Sequence, residues 1–321
     1  MNRVEPDTRR TFAVLSLSLL LAAGCAPAGS EPDAASPSAG RWPAFDERAA
    51  GVAEAWRPGP QWDSGYVPLQ EPTVLVGDPT FSPDTELAFR AGWYRDQVGL
   101  PVARPADGTV RFPDGTLTVA LVSAAEAYRQ LDQGDPPPCD GQAKNPGTPP
   151  PAQSIGPDDP VSSDPQTACV PLTVTAVELG SVPVRTSRGE ARVPAWLFTV
   201  DELTAQVARL AVAPAAVGAV PEPSAPPGPL PSSMVGAQDL RAVDGTTLTV
   251  RLGIGACDTG VTPLVYERDD VVVVGGGVTR PTGVCTEQLV LEPVTVALAA
   301  PLGERPVLDV LAGAPLRLTT R

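Results

Sequence analysis

The chain has 321 residues, with 23 basic and 37 acidic side chains, no histidine, 40 prolines and five cysteines. Without histidine there is no Ser-His-Asp or Cys-His mechanism and no histidine metal ligand, and the single lysine, Lys144, sits in a proline-rich stretch that gives a Schiff base or Ser-Lys pair little support. A net charge of −14 disfavours nucleic acid, which needs a basic face, while a 42% hydrophobic content is enough to bury real cores.

Residues 1–25 read MNRVEPDTRRTFAVLSLSLLLAAGC. Arg3, Arg9 and Arg10 form a positive n-region, and Ala13 to Ala23 form an apolar run of 11 residues. That run is too short for a hydrocarbon core of about 30 Å, which needs about 20 residues, and it fits a signal-peptide h-region. The run Leu21-Ala22-Ala23-Gly24-Cys25 resembles the lipobox of bacterial lipoproteins. The resemblance implies a signal peptide over 1–24, a diacylglyceryl group on the Cys25 thiol, and a mature chain anchored to the extracytoplasmic face of the cell membrane. Thr8 to Phe12 also resembles a twin-arginine export motif, so the export route stays open. Cleavage before Cys25 leaves 20 basic and 35 acidic residues, a net of −15. An anionic membrane surface repels such a body within a Debye length of about 8 Å, so a tether makes physical sense. Residues 25–41, small, polar and proline-containing, are expected to be that tether.

Four further cysteines remain: Cys139, Cys169, Cys257 and Cys285. An even number in an exported chain implies disulfides, with three possible connectivities. Sequence separation favours Cys139–Cys169 and Cys257–Cys285, each closing a loop of about 30 residues worth roughly 3–4 kcal/mol. A four-thiolate zinc site is disfavoured, since no pair has CxxC spacing.

A β-rich first domain with short helices is expected over 42–212. Nine of the fifteen aromatics fall in 42–94, and burial is favoured over an aromatic binding surface. Ala49, Val52, Ala53 and Trp56 predict a helix over 46–57, packed on this domain. Thr73–Val76 reads as a strand, and 86–93 suits either a strand or a helix. Asp107-Gly108 and Asp114-Gly115 predict tight turns around Thr109–Phe112. Leu117–Val122 is the next strand, and Ser123 with Glu126 forms a capping box that opens a helix to about Leu131. Residues 132–171 hold eleven prolines and form an insertion that Cys139 and Cys169 would close. Runs at 172–179, 182–186, 191–200 and 207–212, with a turn at Ser187-Arg188-Gly189, predict an antiparallel meander.

Residues 213–233 read as a Pro/Ala linker or a long surface loop. A small all-β domain, a sandwich or barrel, is expected over 234–321, with strands at 246–252, 263–266, 271–274, 287–291, 294–298 and 307–310. The echo between 114–121 and 244–252 fits repeated turn chemistry as well as duplication. The run from Val271 to Gly277 lacks the following helix that a dinucleotide loop needs, so a hairpin turn is expected there. No DxDxDG calcium loop occurs; Asp132, Asp135 and Asp140 come nearest, and the acidic pairs Asp158-Asp159 and Asp269-Asp270 read as solvent-facing.

The lipobox, the paired cysteines and the phrases TSRGEARVPAWLF (186–198) and APLGERPVLD (300–309) resemble uncharacterised actinobacterial surface lipoproteins. That resemblance implies location and class, not activity. The overall expectation is a mainly β, non-catalytic binding or structural lipoprotein without a cofactor or metal. The alternative is a secreted hydrolase using an Asp/Glu pair, the one catalytic design the composition readily permits. A solute-binding lipoprotein is disfavoured because it needs alternating strands and helices. If the chain binds a ligand, Trp93, Tyr94, Trp196 and Phe198 are the candidate contact aromatics.

Overall fold

The computed structural model describes residues 42–135 and 170–319, and these are mainly β. Helices α1 (Pro43–Ala55) and α2 (Gln61–Ser64) come first, followed by β1 (Thr73–Val76), α3 (Pro83–Ala91), β2 (Tyr94–Asp96), β3 (Gly108–Phe112), β4 (Gly115–Val119) and α4 (Ala124–Leu131). The antiparallel meander follows, but the runs expected at 172–179 and 182–186 form a single strand, β5 (Leu172–Thr186), because Gly180 and Ser181 stay paired with β6 (Gly189–Val200); β7 (Gln206–Leu210) completes it. The seven strands form one curled sheet in the order β1-β7-β6-β3-β4, with β5 on the other edge of β6 and β2 parallel to the start of β5. One edge of β6 changes partner along its length, meeting β3 at Arg192 and β7 from Ala195 to Phe198.

Local chemistry decides the ambiguous segment near 86–93 in favour of a helix. The Ser82 hydroxyl accepts the Thr85 N–H at 3.2 Å, the Thr85 hydroxyl accepts the Ser82 N–H at 2.9 Å, and Gly92 ends α3 at φ 73°. The box expected at α4 is only half made. Ser123 accepts the Glu126 N–H at 3.2 Å, but the Glu126 carboxylate is taken by Arg129 and Gln130. The β3–β4 turn falls one residue earlier than expected, on Pro113-Asp114, because Phe112 pairs with Gly115. Gly108 makes no turn. It opens β3 where a Cβ would meet Leu121 and Pro194 at 2.9 Å.

The second sheet contains β8 (Met234–Asp244), β9 (Thr247–Gly255), β10 (Thr259–Glu267), β11 (Val272–Thr279), β12 (Leu289–Ala297) and β13 (Val307–Asp309). Its order is β10-β11-β8-β9-β12, with β13 parallel to β11. β8 has no counterpart among the expected strands. Two register shifts against β9, between Ala237 and Asp239 and between Leu240 and Ala242, break the period of two that would have revealed it. The glycines 275–277 form no hairpin turn. They lie inside β11, where a Cβ on Gly276 would meet Leu252 at 2.5 Å and one on Gly277 would strike Trp42.

A proline-rich chain builds these sheets by turning the nitrogens of three strand prolines, Pro183, Pro263 and Pro293, to edges where no N–H is needed. Arg268 donates to Val271 O, so alternation turns the nitrogen of Pro263 away from β11. Ala256 donates to Gln288 O and Leu298 to Thr246 O, so the nitrogen of Pro293 faces away from β9. Leu69 donates to Arg185 O on the outer edge of β5, the edge that Pro183 also faces. Pro293 therefore does not split β12 into the two runs expected on either side of it.

Three buried clusters hold the molecule. One lies under the first sheet and one inside the curl of the second. The third joins Phe45, Ala49, Val52, Ala53, Trp56 and Trp62 to Leu264, Val271, Val273, Leu308 and Val310. The apolar face expected of α1 is thus the face that is buried, but it covers β10 and β11 of the second sheet rather than the first domain. The reason is that β11 is apolar on both faces and needs a second cover. Of the expected linker, Ala213 and Ala216 join the first core, while residues 220–226 pack along α1, with Val220 and Ala225 in the third cluster and Arg48 donating to Pro226 O. At the C-terminus, Leu318 donates to Leu69 O at 2.7 Å while Leu240 donates to Arg317 O at 3.0 Å, clipping the 69–71 segment to β8.

Candidate functional site

Cys25, Cys139, Cys169, Lys144, Asp140 and Asp158-Asp159 lie outside the described residues. Cys257 and Cys285 are joined, with their Cα atoms 6.2 Å apart. The candidate contact aromatics are not available as a surface. Tyr94, Trp196 and Phe198 are buried in the first core, and Trp93 is half-buried against it. Trp196 donates its indole N–H to Val122 O at 3.0 Å, and the Phe198 ring meets the Tyr128 ring at 6.2 Å. Alternation accounts for this: in β6 the aromatic positions 196 and 198 share a parity, and the Tyr128 ring of α4 and the Val122 carbonyl just before α4 lie against that face.

Two shallow recesses hold the polar side chains of interest. One, of about 550 Å³, lies beside the disulfide and is lined by Gly255, Asp258, Arg280, Gly283 and Glu287 among others. Asp258, with a side chain only 2% exposed, accepts the Gly255 N–H at 2.6 Å and pairs with Arg280. Arg280 also donates to Ser232 O at 2.7 Å, so both charges are committed to holding the end of β11. The sequence signal for Asp258 was available: an Asp between Gly255 and Gly260 in a turn that must accept a backbone N–H.

The other recess, of about 570 Å³, is lined by Trp62, Asp63, Ser187, Asp269, Asp270 and the 300–306 turn. Arg268 holds Asp270 through bonds of 2.8 and 2.7 Å, which lowers the Asp270 carboxyl below its ordinary range. Nearby, Arg185 donates to Gly303 O and Arg305 O at 3.4 and 2.8 Å, and burial lowers its pKa to about 10. Arg305 pairs with Glu267 at 3.0 Å and donates to the carbonyls of Arg268, Ala300 and Pro301.

The deepest carboxylate is Asp309. It accepts the Ala237 N–H at 2.8 Å and the Ala312 N–H at 2.7 Å, and burial raises its pKa despite these bonds and the nearby Arg48. It ties β13 to β8. Asp132 accepts the Gly134 N–H at 3.1 Å, closing a turn. Among the described residues no group of three or more Cys, Asp and Glu is placed to hold a metal, and no helix is long and apolar enough to cross a membrane. The polar groups so arranged join strands and turns to one another. Compared with known protein families, curated proteins and solved structures, the chain matches none.

Proposed function

We propose that the protein is a lipid-anchored lipoprotein of the extracytoplasmic membrane face, acting as a non-catalytic binding or structural component of the envelope. The observation that carries this reading is Leu21-Ala22-Ala23-Gly24-Cys25 directly after a short apolar run and a positive n-region. A disulfide on an exposed turn supports it, because such bonds persist in oxidising compartments. The non-catalytic part is supported by Asp258, Asp270, Glu267 and Asp309, each engaged with an arginine or backbone N–H groups.

Mass spectrometry of the native N-terminus tests the anchor. The expected result is a chain beginning at a diacylglyceryl-modified Cys25, with Cys25→Ala leaving the membrane fraction; an unmodified or uncleaved start overturns it. A panel of glycan, peptide and ester substrates tests the rest, with no turnover expected. Turnover that is lost when Asp63, Asp269 or Glu304 of the second recess is changed to its amide, with folding intact, establishes the carboxylate hydrolase instead.

A further inference from the structure

β10 and β12 are the two edge strands of the second sheet, and they run in the same direction because all four ladders between them are antiparallel. The curl brings them toward one another, yet no ladder joins them among the described residues. Pro263 and Pro293 each turn a nitrogen without hydrogen toward this seam, so backbone pairing across it is blocked near its middle. At its trailing end the Glu267 carboxylate accepts the Ala299 N–H at 2.7 Å and pairs with Arg305 at 3.0 Å. At its leading end the tie is covalent: Cys257, two residues before β10, is bonded to Cys285, four residues before β12.

We propose that Cys257–Cys285 is the latch of this seam, a redox-sensitive closure whose reduction frees the leading ends of β10 and β12 while the rest of the sheet stays folded. Cys257 is exposed and Cys285 half-buried, so a small dithiol can reach the bond. One thiolate of the dithiol attacks Sγ of Cys257, the S–S bond breaks, and Cys285 leaves as a thiolate. The second thiolate of the dithiol attacks its own bonded sulfur, closing a cyclic disulfide and releasing Cys257 as a thiolate. Two electrons pass from the dithiol to the protein, and the two protons the dithiol gives up balance those the new thiols take. With the latch open, Val261 and Val290, which pack at the margin of the second core, lose their cover. The outward N–H and C=O groups of Leu289 and Leu291, which no ladder pairs in the closed seam either, then lie open to an incoming strand beside exposed Val284.

Hydrogen exchange of the mature chain, with and without dithiothreitol, tests this, with Cys257→Ser/Cys285→Ser isolating this bond from any other cysteine. Exchange at 256–262 and 286–292 is expected to rise about tenfold or more, as in sub-global opening, while β1, β7 and β11 keep their protection. Glu267→Gln is expected to loosen 297–299 and leave the leading ends protected. Unchanged exchange at both leading ends overturns the proposal, and so does an equal rise across β8 to β13, which makes the bond a support of the whole sheet rather than a latch.

Discussion

The two sheets are held by different kinds of side chain. Under the first sheet the core contains Phe89, Tyr94, Phe112, Tyr128, Trp196 and Phe198, and helices α3 and α4 close it. Inside the second sheet the core is Val, Leu, Ile and Ala without an aromatic, and aromatics meet its other face, most of them carried there by α1, α2 and the residues that flank α1, with Tyr266 of β10 beside them. Rings suit the wide space between a helix and a sheet. Small β-branched residues and glycines suit a strand such as β11, which is covered closely on both faces. Glycine inside a strand costs roughly 0.5–1 kcal/mol against alanine, whereas overpacking costs roughly 1–3 kcal/mol, so at 275–277 glycine is the lesser loss.

The contrast breaks most visibly at Phe198. Truncation to alanine removes a fully buried ring from the first core, and a loss of about 3–5 kcal/mol in urea unfolding is expected. In the second sheet the damaging change is the opposite one, an added methyl. Gly276→Ala brings a Cβ to 2.5 Å from Leu252 and 3.1 Å from Thr262 O, and is expected to cost about 1–3 kcal/mol. If Gly276→Ala stabilises the protein instead, close approach is not what glycine supplies there. Trp196→Phe is milder: it keeps most of the ring and loses the bond to Val122 O, at a cost of about 1–2 kcal/mol.

How much of this was legible depended on whether the signal was local. The mainly β class, the meander, the Ser123 cap and the inward face of α1 all follow from spacing within a few residues. The partner of α1 does not, because an apolar stripe shows that a face is buried without saying against what. β8 was hidden by its irregular register, and 275–277 looked like a turn because glycine serves turns and close packing alike. At the candidate site, the Cys257–Cys285 pairing was readable from chain separation. The burial of Trp196 and Phe198 depended on which face of β6 meets α4, a contact between segments far apart in sequence.

Two carboxylates sharpen the comparison at the smallest scale, because they respond to acid with opposite signs. Asp270 is held below its ordinary 3.8 by Arg268, so its contribution is present above that value and is lost as pH falls through the folded pKa. Asp309 is raised by burial, so its contribution is complete below 3.8 and is lost as pH rises through its folded pKa. Acidification from neutrality should therefore first relieve the cost of burying charge at Asp309 and only later forfeit the Asp270 pair. Urea unfolding of the wild type, Asp309→Asn and Asp270→Asn from pH 7 downward reads both. Asp309→Asn should remove the gain on mild acidification. Asp270→Asn, whose side chain is 59% exposed, should cost about 0.5 kcal/mol or less at pH 7, a difference that fades in acid. A wild type that steadily loses stability relative to Asp309→Asn as pH falls would mean that the backbone bonds from Ala237 and Ala312, not burial, govern the charge on Asp309.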